Sequence, residues 1–348
     1  MKDKILVVYT GGTICSFLGD FSRELDVERA KSVIIHNFEK GDSEYASLAG
    51  ELFEDSMLSI STLSENMTTL KQNCIIDNIG SYDLSKYKGV IVLHGTDTLA
   101  YTASLLSMVF SDSPAPIMMV SANRPPNDPM SNANANFKAA TELIMNGIAP
   151  NVYAPYRNSD GVVYIHIAST LMQCANFSED FYNASKAHVF SVQSTDYEYL
   201  KRLSEARSTI SLLSPIKGDE ILLIHPYAGL DYSRIDLAGI KAVVHGTYHS
   251  GTVCVERGKE DECYGVNSIL YLSDECKSLG IPIFMAPCVL DSDQYSSVYD
   301  AVQNGGIVPL CMTIESAYTK AMLGVSCGYS GDDLKKFMMT DITVEIIE

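Results

Sequence analysis

Runs of apolar residues that end in small or polar residues recur along the chain and predict its secondary structure. Residues 5–9 are Ile-Leu-Val-Val-Tyr, and a similar apolar run occupies residues 90–93. Short continuous apolar runs bounded by turn residues are typical of strands buried on both faces of a parallel sheet. Residues 26–38 instead show helical spacing, with apolar side chains on one face. The alternation predicts an α/β fold with a parallel sheet.

A polar, charged stretch that contains Pro215 and Gly218 separates two such alternating regions. Proline and glycine in a polar stretch are typical of a connection. We therefore predict an N-terminal domain over residues 1–194, a linker over 195–218 and a C-terminal domain over 219–348. In the last of these, strands are predicted at 220–224, 242–244, 283–286 and 307–310, and helices at 268–279 and 315–323. The expected fold is a larger, Rossmann-like α/β domain followed by a smaller α/β domain with a parallel sheet.

Hydroxyl and carboxylate side chains follow two of the predicted strands. The first strand runs into TGGTI at residues 10–14, and the strand at 90–93 runs into HGTDT at residues 94–98. Adjacent glycines let a ligand approach the backbone, and ligands of open α/β sheets bind at the carboxyl ends of strands. A hydroxyl nucleophile also needs a nearby group to accept its proton. Glycine turns and helix N-caps are the structural alternatives for the same residues.

The two motifs, followed by AYTAS at residues 100–104, closely resemble the asparaginase/glutaminase family of threonine amidohydrolases. The likeness continues, with gaps, over nearly the whole chain. In that family the second threonine of TGGTI is the acylated nucleophile, so the resemblance implies this role for Thr13. The Thr-Asp pair of HGTDT corresponds to Thr96 and Asp97.

Substrate-binding residues are implied by the same resemblance. Ser64-Glu65-Asn66-Met67 is similar to a family segment whose serine and following residue hold the substrate's α-carboxylate and α-amino groups. Ser64 is therefore expected to bind the carboxylate and Glu65 the ammonium group. The structural alternative for Ser64 is the N-cap of a helix predicted at 67–76.

The chain departs from the family pattern at a lysine that forms a triad with the Thr-Asp pair. After a strand predicted at 162–168, an ungapped continuation puts Glu179 or Asp180 at the position of the lysine. A short gap instead brings Lys186, in Ser-Lys-Ala-His, to that position, and we predict Lys186 as the third member. A lysine beside a carboxylate in a closed site can have its pKa shifted enough to exchange protons.

A second departure concerns a tyrosine that helps to activate the nucleophile in the family. Phe21, which has no hydroxyl, occupies the corresponding position. Tyr9 or another phenol could substitute, the Thr-Asp pair could act alone, or the enzyme could be slow.

Subunit contacts are also implied by the resemblance. The loop at 245–252, and Asp291, Asp293 and Tyr295, lie where family members complete a neighbouring subunit's site, which implies a homodimer or homotetramer. His245 and His249 lie four residues apart, but no third ligand has a recognisable spacing, and we predict no metal site and no cofactor.

Composition narrows the classes of function. The 348 residues are 46% apolar, enough for two domains with their own cores. The net charge of −18 argues against a nucleic-acid partner, because such binding depends on Lys and Arg at phosphates. Nine cysteines without a CxxC pair, and no apolar run of roughly 18 residues, indicate a reduced cytoplasmic protein without a signal peptide or membrane segment.

These observations predict an L-asparaginase that needs no cofactor. Thr13 attacks the side-chain carboxamide, ammonia leaves, and water hydrolyses the acyl-threonine ester. Thr96, Asp97 and Lys186 are expected to manage protons. Two alternatives stay open. One is an amino-acid-binding sensor that has lost hydrolysis; the other is a glutaminase or amidotransferase component.

Overall fold

The structure is a computed structural model that describes residues 4–19, 22–58, 60–212, 214–256, 264–290 and 294–347. The chain divides into two compact units. The first comprises Met1–Ile210 with Ile342–Val344, and the second comprises Ser211–Asp341 with Glu345–Glu348. Both are α/β structures, as the sequence predicted.

The strands of the first unit begin with the apolar runs that the sequence indicates. They are β1 (Lys4–Tyr9), β2 (Ser16–Leu18), β3 (Arg23–Leu25), β4 (Phe53–Asp55), β5 (Tyr87–Leu93), β6 (Ile117–Val120), β7 (Val152–Arg157), β8 (Val163–Ile167) and β9 (Val189–Ser191). Seven of them form one sheet in the order β4-β1-β5-β6-β7-β8-β9, and β2 pairs with β3 separately. The strands from β4 to β7 in this order are parallel, whereas β8 and β9 are added antiparallel.

The helices of the first unit cover the sheet. They are α1 (Val27–Lys40), α2 (Ala49–Leu52), α3 (Thr69–Gly80), α4 (Leu99–Val109), α5 (Ala133–Met145) and α6 (Tyr197–Glu205). Asp26 caps α1 by accepting a hydrogen bond from Arg29 N, which satisfies a free N–H of the first turn. Phe38 of α1 and Phe137 of α5 pack edge to face in the core against β1 and β5 residues. Burial of β1 on both faces therefore explains its continuous apolar sequence.

The interval predicted as a linker contains α6. Asp196 caps this helix by accepting from Tyr199 N, and Leu200 is completely buried in the core of the first unit. The apolar residues of this helix form a narrow stripe in a strongly polar segment, which resembles a linker in composition.

The second unit is built on a four-stranded, all-parallel sheet. Its strands, in spatial order, are β10 (Ile221–Ile224), β11 (Ala242–His245), β12 (Ile283–Met285) and β13 (Val308–Pro309). Its helices are α7 (Ile269–Leu279), α8 (Ser296–Gln303), α9 (Ile314–Ser326) and α10 (Gly331–Met338). The predicted strands and both predicted helices of this region are present, so the smaller parallel-sheet α/β domain is confirmed.

No helix in the described ranges combines the length and the apolar character needed to cross a membrane. The eight cysteines within those ranges are all free thiols, and several are buried.

Candidate active site

Three chain segments meet at the carboxyl ends of β1 and β5. Gly12 N–H donates to the Thr62 carbonyl at 2.8 Å, and Thr62 N–H donates to the Thr10 carbonyl at 2.9 Å. These bonds tie the segment that leads to Ser64 to the loop that carries Thr13. Thr10 Oγ1 donates to the carbonyl of Leu93 at 2.8 Å, which fixes the same loop to the end of β5.

The two glycine turns are in direct backbone contact. A Cβ placed on Gly12 would lie 2.1 Å from Gly95 Cα, and one on Gly95 would lie 2.4 Å from Ser64 Oγ. Gly12 also has a φ of +75°, which disfavours any other residue. Since Thr13 and Thr96 directly follow these glycines, the contact brings the two hydroxyl-bearing residues to adjacent turns.

Ser64 and Asp97 are joined by a reciprocal pair of hydrogen bonds. Ser64 Oγ donates to Asp97 Oδ2 at 3.1 Å, and Asp97 N–H donates to Ser64 Oγ at 3.1 Å. Thr98 Oγ1 adds a bond to the Ser64 carbonyl at 3.0 Å. The buried Ser64 hydroxyl therefore orients the exposed carboxylate of Asp97.

The N-termini of α3 and α4 show which residues act as helix N-caps. Thr68, and not Ser64, caps α3 by accepting from Lys71 N, so the N-cap alternative for Ser64 is wrong. Ser64 and the exposed Glu65 instead form the start of a short 3-10 turn, Ser64–Asn66. Thr98 occupies the N-cap position of α4, which leaves Thr96 and Asp97 in the preceding turn. Thr13 begins another 3-10 turn, Thr13–Cys15, and is half-buried.

Lys186, the predicted third member of the triad, is not bonded to Asp97 in the described part of the chain. It begins a 3-10 turn, Lys186–His188, just before β9, and its side chain is exposed. Asp97 is hydrogen-bonded to Ser64. Among the described residues, no hydrogen bond or ion pair joins Lys186 to Asp97. Its assignment as the third member stays a prediction.

Tyr9, whose phenol could replace the family tyrosine, is hydrogen-bonded to the Asp55 carboxylate. Tyr9 Oη donates to Asp55 Oδ1 at 3.1 Å. Burial, and then the negative charge of Asp55, raise the pKa of Tyr9 far above its usual value. A phenol that resists ionisation in this way is a poor base. Phe21 lies outside the described residues.

Sequence reasoning missed a segment beside the Thr96–Asp97 turn. Gln173 Nε2 donates to the Thr96 carbonyl at 3.2 Å, and Asn123 Nδ2 donates to Glu179 Oε2 at 2.8 Å. This segment bounds a cavity of about 470 Å³ lined by Thr96, Asp97, Asn123, Tyr156, Gln173, Cys174, Ala175, Asn176, Phe177, Ser178, Glu179 and Phe181. The ungapped alignment, which put Glu179 near the lysine position, was the available signal.

His94 is a further missed residue, next to the catalytic candidates. Its ring is completely buried, with Nδ1 2.7 Å from the Gly95 carbonyl. Burial lowers the pKa of His94 to about 4, so the ring is neutral at pH 7. Because a carbonyl only accepts, Nδ1 carries the proton, and His94 stabilises the glycine turn rather than exchanging protons there.

The predicted subunit-contact residues belong to the second unit. His245 is buried, and its Nε2 is 2.8 Å from the Tyr232 hydroxyl, whereas His249 is exposed. Tyr295 precedes α8 and is exposed, and Asp291 and Asp293 lie outside the described residues. Within the described part of the chain, no group of three or more His, Cys, Asp or Glu side chains is arranged to hold a metal ion.

The fold and the site define a class of two-domain α/β proteins with hydroxyl-bearing turns at the ends of parallel strands. A family model described as "Asparaginase, N-terminal" matches residues 4–204, and the chain therefore belongs to the asparaginase family.

Relatives in this family carry two kinds of name. The L-asparaginase of Thermococcus kodakarensis is 24% identical over 364 residues, which cover 99% of both chains. A glutamyl-tRNA(Gln) amidotransferase subunit from Methanosphaera stadtmanae is 24% identical over 366 residues, 99% of this chain and 77% of the relative. The corresponding protein from Pyrobaculum aerophilum is 38% identical over 106 residues, only 30% of this chain and 23% of the relative.

Solved structures share the fold. L-asparaginase I from Vibrio cholerae aligns over all of both chains with a TM-score of 0.73 and 21% identity. The thermostable L-asparaginase from Thermococcus kodakarensis aligns over 99% of both chains with a TM-score of 0.72 and 20% identity. The two-domain architecture is thus that of the asparaginases.

Proposed function

We propose that the protein is an L-asparaginase that converts L-asparagine to L-aspartate and ammonia through an acyl-enzyme on Thr13. The observation that carries the proposal is the convergence of three segments, those bearing Thr13, Ser64 and the Thr96–Asp97 pair. They supply a nucleophile, a substrate anchor and a proton acceptor within one site.

In the first step, Thr13 Oγ1 attacks the carboxamide carbon and its proton passes to the Thr96–Asp97 pair. Proton transfer by positioned groups contributes on the order of 10²–10⁴ in rate. Backbone N–H groups of the two glycine turns stabilise the oxyanion. Gly12 N–H is bonded to Thr62, so the donors are the other N–H groups of these turns.

In the second step, ammonia leaves and water attacks the ester on Thr13. Ser64 and Glu65 hold the α-carboxylate and α-ammonium groups, so that the carboxamide lies at Thr13 in both steps. Because the Ser64 hydroxyl has a single proton, its bond to Asp97 is exchanged for a bond to the α-carboxylate when the substrate binds.

The proposal extends to assembly and location. We propose a homodimer or homotetramer, in which the loop at 245–252 and Tyr295 contribute to a neighbouring site, and a cytoplasmic location. The family resemblance and the free thiols support these statements.

A glutaminase or amidotransferase component is the second candidate. It is favoured by the relatives that are named as part of a glutamyl-tRNA(Gln) amidotransferase. The net charge of −18 disfavours an RNA-bound partner, because it provides little attraction for phosphates.

A substrate panel separates these functions. Ammonia release from L-asparagine, L-glutamine and D-asparagine is measured side by side with the purified protein. We expect the highest kcat/KM with L-asparagine. Preference for L-glutamine would favour the second candidate, and calorimetric binding of L-asparagine without ammonia release would favour the sensor.

A further inference from the structure

We propose that the cavity beside Thr96 and Asp97 is a leaving-group pocket, which admits β-amides of L-aspartate whose amide nitrogen carries a cationic alkylamine. This inference rests on the proposed function and extends its substrate class from ammonia to larger amine leaving groups.

The position of the cavity points to the leaving nitrogen. Thr96 and Asp97 line the cavity, whereas Ser64 and Glu65, which hold the amino-acid head group in the proposed mechanism, do not. In that mechanism Thr96 and Asp97 act on the carboxamide, so the C–N bond that breaks lies beside the cavity. A substituent on that nitrogen would extend into it.

The cavity is far larger than the proposed product requires. Its volume is about 470 Å³. A water molecule, which is close to ammonia in size, takes only about 30 Å³ in the liquid. Pockets that hold small organic ligands typically measure about 300–1,000 Å³. The space accommodates an amine with several heavy atoms.

The wall of the cavity is held in place by side-chain bonds. Gln173 is bonded to the Thr96 carbonyl, and Asn123 holds the Glu179 carboxylate. Cys174 Sγ lies 3.2 Å from the Ser178 carbonyl and 3.3 Å from that of Asp180, which fixes the turn between them. The turn holds Phe177 at a φ of +61°, a left-handed conformation that a phenylalanine rarely adopts. Such backbone outliers concentrate at ligand sites.

Charge and aromatic surface favour a cation. Among the described lining residues, Asp97 and Glu179 are the charged ones, and Lys and Arg are absent. After burial, the negative charges of Asp180, Asp97 and Glu179 raise the pKa of the Cys174 thiol, which shows a negative potential at the wall. Phe177, which also lines the cavity, has an exposed ring. Carboxylates and aromatic faces together attract an ammonium group.

The reaction balances without a cofactor. The Thr13 Oγ1–carbon ester forms as the carbon–nitrogen bond breaks, and the departing amine takes the proton released by Thr13. Water then hydrolyses the ester to L-aspartate and restores the threonine hydroxyl. A β-amide of ethylenediamine gives L-aspartate and ethylenediamine.

Three substrates test the pocket through their shared product, L-aspartate. They are L-asparagine, N4-(2-aminoethyl)-L-asparagine and its neutral isostere N4-propyl-L-asparagine. We expect both substituted amides to be hydrolysed, with kcat/KM for the cationic amide about fivefold above the neutral one, the size of one partly exposed ion pair. Glu179→Gln should remove most of this ratio.

Asp160→Asn is the matched control. The exposed Asp160 carboxylate accepts bonds from Val162 N–H at 2.9 Å and from the Tyr164 hydroxyl at 2.8 Å, and it does not line the cavity. The ratio should therefore be unchanged in this variant. Turnover of L-asparagine without turnover of either substituted amide would overturn the pocket, as would a ratio near one or a ratio that Glu179→Gln leaves intact. Absence of L-aspartate from all three substrates would overturn the proposed function itself.

Discussion

Ser64 is the residue on which the geometry of the site depends most closely. Its hydroxyl is buried and faces the Asp97 carboxylate, while a Cβ on Gly95 would collide with it. The hydroxyl therefore sets the rotamer of Asp97 and also fills the space that the glycine leaves. Ser64 therefore affects catalysis by orienting Asp97 as well as by contacting the substrate directly.

Ser64→Ala removes a hydrogen bond to a charged group, which contributes about 1.5–3 kcal/mol. We expect kcat/KM for L-asparagine to fall by about 10- to 100-fold, since one such bond is worth roughly this factor. Steady-state kinetics measure the change. The exposed Ser81, whose hydroxyl donates to the Asn78 carbonyl at the end of α3, provides the control, and Ser81→Ala should retain parental kinetics. Parental kinetics in Ser64→Ala would contradict its proposed role.

Lys186→Met tests the lysine that the family resemblance indicates. If Lys186 exchanges protons with Asp97, we expect kcat to fall by about 100-fold or more, the usual range for proton-transfer groups. A loss of less than about tenfold would remove this exposed lysine from the proton relay.

At the scale of elements, the paired glycine turns create the site. They follow β1 and β5, adjacent parallel strands with Tyr9 paired to Leu93, so the two turns leave the sheet side by side. The close approach of Gly12 to Gly95 is possible only without side chains. The two motifs, although about eighty residues apart in the sequence, meet because the strands that precede them are paired in the sheet.

Gly12→Ala should separate the turns. The φ of +75° and the 2.1 Å approach of the new Cβ to Gly95 Cα would strain the backbone by at least about 1–3 kcal/mol. We expect a lower free energy of unfolding and loss of ammonia release, measured by denaturant titration and assay. Gly50→Ala is the control, because Gly50 lies in α2 with open space around it. It should change stability by no more than about 1 kcal/mol.

The elements also show what a sequence can and cannot predict. Continuous apolar runs predicted β1 and β5 because both faces of these strands are buried. The motifs at the ends of β1 and β5 then indicated Thr13, Thr96 and Asp97, which the structure brings to adjacent turns. Helix α6 was missed because tertiary burial of Leu200 outweighs a polar composition.

The wall of the cavity was harder to predict. Residues 173–181 include no strand or helix, and side-chain bonds such as Asn123 to Glu179 hold them in place. Periodicity carries no information about such contacts between distant segments. The antiparallel orientation of β8 follows from the short turn after β7, since parallel strands need a longer crossover.

At the scale of the whole molecule, buried neutral histidines couple stability to pH. Burial lowers the pKa values of His94 and His166 to about 4. The unfolded chain, with histidine pKa values near 6.5, binds more protons between these limits, so stability falls as pH decreases from about 6.5 to 4. Each histidine should cost about 2 kcal/mol by pH 5.

His166→Phe should flatten this dependence. Among the described residues, both ring nitrogens of His166 are buried without a hydrogen-bond partner, so the variant removes a proton-linked group and no bond. We expect the loss of unfolding free energy between pH 7 and pH 5, from denaturant titrations, to shrink by about 2 kcal/mol. His36→Gln, at an exposed site on α1, should keep the parental slope. An equal slope in both variants would contradict the assignment.

The most direct test of the central claim is ammonia release from L-asparagine by Thr13→Ala and Thr13→Ser, with unfolding curves as a check on folding. If Thr13 Oγ1 forms the acyl-enzyme, the alanine variant should fold normally and release no ammonia above background. The serine variant, which keeps a hydroxyl at this position, should retain measurable turnover. Turnover by Thr13→Ala close to that of the parent protein would contradict the account.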